Sequence, residues 1–122
     1  VVKLMGEQYM KSYYDVYGLK TCSLRFFNTY GPRQESSSYG FVTGVFIKQA
    51  LEDKPLTVFG DGTQTRDFVF IKDNINASII ALLNNNTNGE SINLGTGRPI
   101  TILDLTEHII AIAKPKKLKI KF

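Results

Sequence analysis

Apolar positions along this chain recur with two periods, near 3.6 and near 2, and the changes of period predict its elements. Residues 1–17 follow the helical period, with Glu7 and Lys11 at i, i+4 in the favoured order and Gly18 placed to close the helix. "KTCSLRFF", residues 20–27, is a short apolar run suited to a buried strand, and "NTYGPRQESSSYG" reads as a loop. A second helix is expected over 41–52, with Val42, Val45, Phe46 and Gln49 on one side and Pro55 beyond it. "LTVF" and "DFVFI" read as strands around the turn "GDGTQT". Asp73 stands where it would cap a helix reaching Leu83, with Ile75, Ile79, Leu82 and Leu83 inward. After the loop "NNNTNG" come a strand, "SINL", and a tight turn, "GTG". Thr101 and Asp104 have capping-box spacing ahead of a helix whose inner residues are Leu105, Ile109 and Ile112. Leu118, Ile120 and Phe122 then alternate with lysines as a last strand. The order α-β-α-β-β-α-β-α-β is that of an α/β fold.

Composition narrows the function classes more than it names one. With 122 residues, 43% hydrophobic and 21% charged, the chain is globular in composition and long enough for one domain at most. The net charge of +4 is concentrated in Lys116, Lys117, Lys119 and Lys121 and gives no basic surface of the kind that grips nucleic acid. No apolar run reaches the roughly 18 residues of a membrane helix. A single cysteine, Cys22, excludes an internal disulfide, lies in an apolar run suited to a core thiol, and agrees with a reducing, cytoplasmic setting. The helical pattern is already running at Val1 and a strand pattern is still running at Phe122, so the chain is expected to be a piece of a longer protein.

Few residues are candidates for chemistry. Asn28 follows a strand, at the end where open α/β sheets place ligands, or simply forms a turn before Gly31 and Pro32. Arg66, delivered from a Gly- and Thr-rich turn into a strand, either clamps an anion such as phosphate or pairs on the surface with Asp61 or Asp67. "GTG" at 95–97 has half of a phosphate-loop glycine pattern but lacks its spacing, and reads as a turn. His108 falls on the polar side of its helix with no second histidine or cysteine to complete a metal site. The tyrosines and phenylalanines suit packing better than base stacking, and no serine is framed as G-x-S-x-G.

Three stretches taken together, "LRFFNTYGPRQ", "PLTVFGDGTQTRDFVFIKD" and "INLGTGRPITILDL", resemble the C-terminal half of nucleotide-sugar epimerases and dehydratases, the extended short-chain dehydrogenase/reductase enzymes. "GPRQ" with the serine-rich stretch after it, and "GDGTQTRDF", are most similar to the UDP-glucose 4-epimerase-like branch. The resemblance implies an α/β chain that forms the C-terminal part of a Rossmann-like fold. Residues 1–34 would be the last helix and strand of its dinucleotide-binding domain, and 35–122 a truncated small substrate-binding domain. It implies NAD as cofactor, a UDP-sugar as substrate, oxidation and re-reduction at the sugar C4, and a homodimeric parent, with no nucleic acid or membrane partner. "VVKLMGE" resembles the tail of the family's Tyr-x-x-x-Lys motif, which makes Lys3 the catalytic and ribose-binding lysine. Phe27 matches a position beside the nicotinamide, and Asn28 one that bonds the substrate diphosphate. Phe41 and Val42 match positions lining the nucleotide, Thr57, Val58 and Phe59 the strand that meets the base, and Arg66 the diphosphate arginine. The same family includes dehydratases and decarboxylases, and a binding module without chemistry is the alternative from another class.

Overall fold

The computed structural model describes residues 1–34, 41–115 and 120–122. They form two compact units, each made of two stretches of chain: residues 1–29 with 69–95, and residues 30–68 with 96–122. Each unit thus draws on both sides of residue 34. The chain passes from one to the other within β2 (Asn28–Tyr30) and β5 (Phe68–Phe70), and again at Gly95.

The first unit is an α/β layer. Helix α1 (Val2–Tyr17) ends as expected at Gly18, whose φ of 66° is the left-handed conformation that glycine adopts without a Cβ clash. Strand β1 (Cys22–Phe26) runs parallel to β6 (Glu90–Leu94), in register from Cys22 opposite Glu90 to Phe26 opposite Leu94. Helix α3 (Ile71–Leu83) packs on β1. It starts two residues before Asp73, on a Phe70 cap with no side-chain bond, so Asp73 is not the cap. Asp73 instead sits in the first turn, where a carboxylate favours the helix dipole. The apolar face expected to point inward is open: Ile75, Ile79, Leu82 and Leu83 are all exposed, and the buried residue of this helix is Asn74. Its side-chain nitrogen donates to the Thr29 hydroxyl at 2.7 Å. Cys22 is partly rather than fully buried, as are Ser23 and Leu24 after it in β1.

The second unit holds the core. Helix α2 (Val42–Leu51) packs on α4 (Ile102–Ala113), and between and beneath them Phe46, Ala50, Leu56, Val58, Ile102, Leu105 and Ile109 are buried together. Short strand pairs frame this core: β3 (Leu56–Thr57) parallel to β8 (Ile120–Lys121), and β4 (Thr65–Arg66) antiparallel to β7 (Ile100–Thr101). Strand β4 begins at Thr65, the last residue of the expected turn, and includes Arg66, expected to open a strand, while Ile71, expected in a strand, is already helical. The capping box at Thr101 and Asp104 is formed in full, each side chain accepting from the other's backbone N–H at 3.0 Å. Leu105 and Ile109 are inside, but Ile112 points out. The strand expected over 118–122 includes residues outside the described ones; Ile120 and Lys121 pair as β8. No helix among the described residues is long and apolar enough to cross a membrane.

Candidate functional site

In the first unit, two long-range bonds lay α1 antiparallel along β1. The Arg25 guanidinium donates to Glu7, with Nε to Oε1 at 2.8 Å, and the Thr21 hydroxyl donates to the Met10 carbonyl at 2.9 Å. This replaces the expected Glu7–Lys11 pair, and Lys11 instead meets Asp15 at 3.3 Å. The Arg25 hydrogen bond and charge hold the Glu7 carboxyl below its ordinary pKa.

The two rises then fix which residues share an end. Lys3 is one helical turn before Glu7, on the same face, about 6 Å further along the axis at ~1.5 Å per residue. Phe27 is two residues beyond Arg25, on the same side of the strand, about 6.6 Å further at ~3.3 Å per residue. Lys3 and Phe27 therefore reach the same end of the α1–β1 layer, the carboxyl end of a parallel strand, with Asn28 following directly. Lys3 and Phe27 are exposed and Asn28 is partly buried. Phe27 extends the parallel ladder, its N–H donating to the Leu94 carbonyl at 3.1 Å.

In the second unit, the remaining candidates lie at the start of α2 and along β3 and β4 with the loop that joins them. Phe41 caps α2 in extended conformation and is exposed, while Val42 leans on the core. Thr57 is gripped by the Gln49 side chain, which accepts from the Thr57 N–H at 3.1 Å and donates to its hydroxyl at 3.3 Å. Val58 is buried to 1% exposure, so it can offer a ligand backbone only, and its N–H is given to the Lys121 carbonyl. Phe59, the next residue, is 83% exposed. A ring this open is no part of a core.

The loop after Phe59 is tied down on itself. Asp61 accepts from the Thr63 N–H at 3.0 Å and from its hydroxyl at 2.8 Å, which holds the Asp61 carboxyl below its ordinary pKa. Gln64 donates to the Phe59 carbonyl at 2.8 Å. Gly62, at φ 77°, lets the chain turn against Leu103; a Cβ here would lie 2.7 Å from its Cγ. The loop thus carries the chain from an exposed Phe59 to an exposed Arg66 with its shape fixed from within.

The two carboxylates that could have paired with Arg66 are turned elsewhere. Asp61 serves the loop. Asp67 accepts from the Thr96 N–H at 3.0 Å, the Thr96 hydroxyl at 2.6 Å and the Gly97 N–H at 2.9 Å. Burial pushes the Asp67 carboxyl up, but these bonds outweigh it and hold the group below its ordinary pKa. "GTG" is therefore a turn, as expected, and its donors serve an internal carboxylate. Sequence reasoning missed this contact because its partners are 29 and 30 residues apart. The Arg66 guanidinium is exposed and donates to the Thr65 carbonyl at 2.8 Å.

A separate pocket of about 390 Å³ lies between α2 and α4, with Thr43, Ile47, Arg98 and His108 on its walls, and none of the residues that the resemblance named lines it. His108 is exposed, and no group of metal-ligating side chains occurs among the described residues.

The NAD dependent epimerase/dehydratase family matches residues 1–95, a span that includes every residue that the resemblance named. An uncharacterized UDP-glucose epimerase of Bacillus subtilis is 37% identical over 116 residues, 95% of this chain and 36% of that protein. A UDP-N-acetyl-alpha-D-glucosaminuronate decarboxylase of Bacillus cytotoxicus is 38% identical over 79% of this chain and 30% of its own length. Among solved structures, the UDP-glucuronic acid 4-epimerase of Bacillus cereus, in complex with UDP-glucuronic acid and NAD, superposes with a TM-score of 0.83 at 40% identity. That match covers 97% of this chain and 38% of the other. The chain thus spans about a third of the length of the relatives it matches.

Proposed function

Because the chain belongs to the NAD dependent epimerase/dehydratase family, we propose that the full-length protein is a UDP-sugar 4-epimerase, with this chain supplying its diphosphate grip and part of its cofactor contact. The observation that carries the reading is the pair of exposed side chains, Phe59 and Arg66, held at the two ends of a self-braced loop. An exposed aromatic ring suits a base, and an exposed guanidinium suits a diphosphate. Asn28, Phe41, Val42 and Thr57 complete the substrate set, with Val58 acting through its backbone.

Lys3 and Phe27 fit a dinucleotide. They offer a cation and an aromatic face at the carboxyl end of a parallel strand, the end where such sheets hold ligands. When bound, NAD supplies a hydride acceptor and then a hydride donor at the sugar C4. The Lys3 ammonium would bond the ribose hydroxyls. Its charge would also favour the anionic form of a tyrosine one helical turn earlier, where the family motif puts the base that takes the C4 hydroxyl proton.

The proposal extends to the parent's assembly and setting. Leu4, Met5, Tyr9 and Ser12 line a shallow groove on α1. Together with Tyr13 and Tyr17 they give the homodimer expected of the parent an apolar contact face. A cytoplasmic location belongs to the same reading.

The decarboxylase of Bacillus cytotoxicus supports a second reading, in which the same contacts serve decarboxylation after C4 oxidation. The product decides. The purified full-length protein, given NAD with UDP-glucose and separately with UDP-glucuronate, should yield the C4 epimer with carbon number conserved. Release of CO2, or loss of water to a 4-keto-6-deoxy sugar, would overturn the epimerase reading.

A further inference from the structure

Arg66 sits in a frame that is closed on two sides. On one side is the antiparallel ladder, with Thr65 opposite Thr101 and Arg66 opposite Ile100. The ladder continues backwards through Ile102 N–H to the Gln64 carbonyl and Leu103 N–H to the Gly62 carbonyl, both 3.1 Å. On the other side is Asp67, whose carboxylate takes both N–H groups of the 96–97 turn and the Thr96 hydroxyl. The turn itself depends on Gly97, at φ 71°, and is closed by the Arg98 N–H donating to the Thr96 hydroxyl at 3.1 Å. The residue after Arg66 is thus fastened to the same segment, 96–101, that pairs with Arg66 and the residue before it.

We infer that Asp67 is a positioning residue for Arg66: it fixes the backbone on the C-terminal side of the arginine so that the guanidinium is presented to an anionic diphosphate. The physical reason lies in the length of β4. A strand of two residues has too few ladder bonds to hold a long side chain's origin steady, and arginine loses affinity when its planar fork is misdirected. Three hydrogen bonds from one carboxylate supply the missing constraint. A neutral asparagine in place of Asp67 offers one acceptor oxygen instead of two, and its amide hydrogens would face the Gly97 N–H or the Thr96 hydroxyl. Thr96 serves the same end from the other side of the clamp.

The inference rests on the reading of Arg66 as a diphosphate ligand, and the test separates the two. UDP and NAD are titrated separately into the full-length protein and into Arg66→Ala, Asp67→Asn and the double variant. Asp67→Asn is expected to weaken UDP about tenfold, the equivalent of one hydrogen bond to a charged group, and to leave NAD unchanged. In the Arg66→Ala background the same substitution should have almost no further effect on UDP, because its target is gone. An equal loss in both backgrounds would overturn the positioning role and leave the Arg66 reading standing. No loss of UDP affinity in Arg66→Ala itself would sink both. Thr96→Val removes the 2.6 Å hydroxyl bond to Asp67, together with the acceptor of the Arg98 N–H that closes the turn, and keeps both backbone donors to Asp67. It should give a loss of about two- to threefold in the same direction, with kcat held and KM for the UDP-sugar raised, as for a contact made equally in ground and transition states. This milder variant decides the matter if Asp67→Asn does not fold, and an unchanged KM in it would overturn the role.

Discussion

The two units of this chain have similar elements and opposite interiors. In the second, seven hydrophobic residues are buried as one cluster between α2, α4 and short strands. In the first, Val69 is the buried hydrophobic residue, and α1 and α3 turn Leu4, Met5, Tyr9, Ile75, Ile79, Leu82 and Leu83 outward. Amphipathic periodicity occurs in both. The contrast teaches that a period shows which face of an element is apolar, and that only another surface makes that face a core. The second unit supplies that surface from its own residues. The first displays faces suited to being covered in the full-length protein.

Core substitutions should separate the units most strongly. Phe46→Ala is expected to destabilise the chain by about 3–5 kcal/mol, the usual cost of emptying a buried aromatic site. Leu82→Ala, at an exposed position, should stay within about 0.5 kcal/mol. Urea unfolding of both variants measures the difference. Repeating Leu82→Ala in the full-length protein sharpens the contrast, since there it should cost about 2–5 kcal/mol if the α3 face is covered. Equal costs for Phe46→Ala and Leu82→Ala in this chain would break the comparison.

Two glycines with the same backbone sign come next. Gly18 closes α1 at φ 66° with open space around it, whereas a Cβ on Gly62 meets Leu103 and Val58. Gly18→Ala should cost about 1–2 kcal/mol from the left-handed backbone alone. Gly62→Ala should cost about 2–4 kcal/mol, because overpacking adds to the same strain. Thermal melts that rank the two the other way would contradict the packing of the 60–65 loop against α4.

A smaller effect is expected at the α4 cap. Thr101→Ala removes one half of the capping box and should cost about 1 kcal/mol in urea unfolding. The pH dependence at this cap has a fixed sign. The Thr101 hydrogen bonds hold the Asp104 carboxyl below its ordinary value, so the unfolded chain takes up that proton first as pH falls. The contribution is present above the unfolded pKa and is lost as pH drops through the folded one. The protection of amides in the first turn of α4, taken relative to unstructured exchange at the same pH, should therefore fall below about pH 4. That acid dependence should disappear in Asp104→Asn, whereas Thr101→Ala keeps the backbone N–H that Asp104 accepts and should only weaken it. Unchanged protection through the same range would count against the box.

Local devices were the most legible part of the sequence. The Gly18 cap and the Thr101–Asp104 box involve residues within one or two turns of each other, and both are formed. Partnerships at long range were not legible. Glu7 had a suitable helical neighbour in Lys11, but the planar guanidinium of Arg25, 18 residues away, takes it with two bonds. Helix α3 starts at Ile71 rather than after Asp73 because Phe70, in extended conformation at the end of β5, leads directly into it. Ile75, Ile79 and Ile112 sit on the periods that named them but outside any core in this chain. Of the candidate site, elementary chemistry reached Asn28 and Arg66 and left both undecided, and the resemblance supplied the rest. Asp67 and Thr96 were out of reach because their contact exists only once β4 and β7 have paired.

The central proposal is that Arg66 serves the nucleotide sugar and that Lys3 and Phe27 serve the dinucleotide. Calorimetric titration of full-length Arg66→Ala with UDP-glucose and, separately, with NAD tests it most directly. UDP-glucose affinity should fall by about 1.5–3 kcal/mol, the range for hydrogen bonds to a charged group, with NAD affinity unchanged. Equal losses for the two ligands would contradict the division and make Arg66 a structural residue.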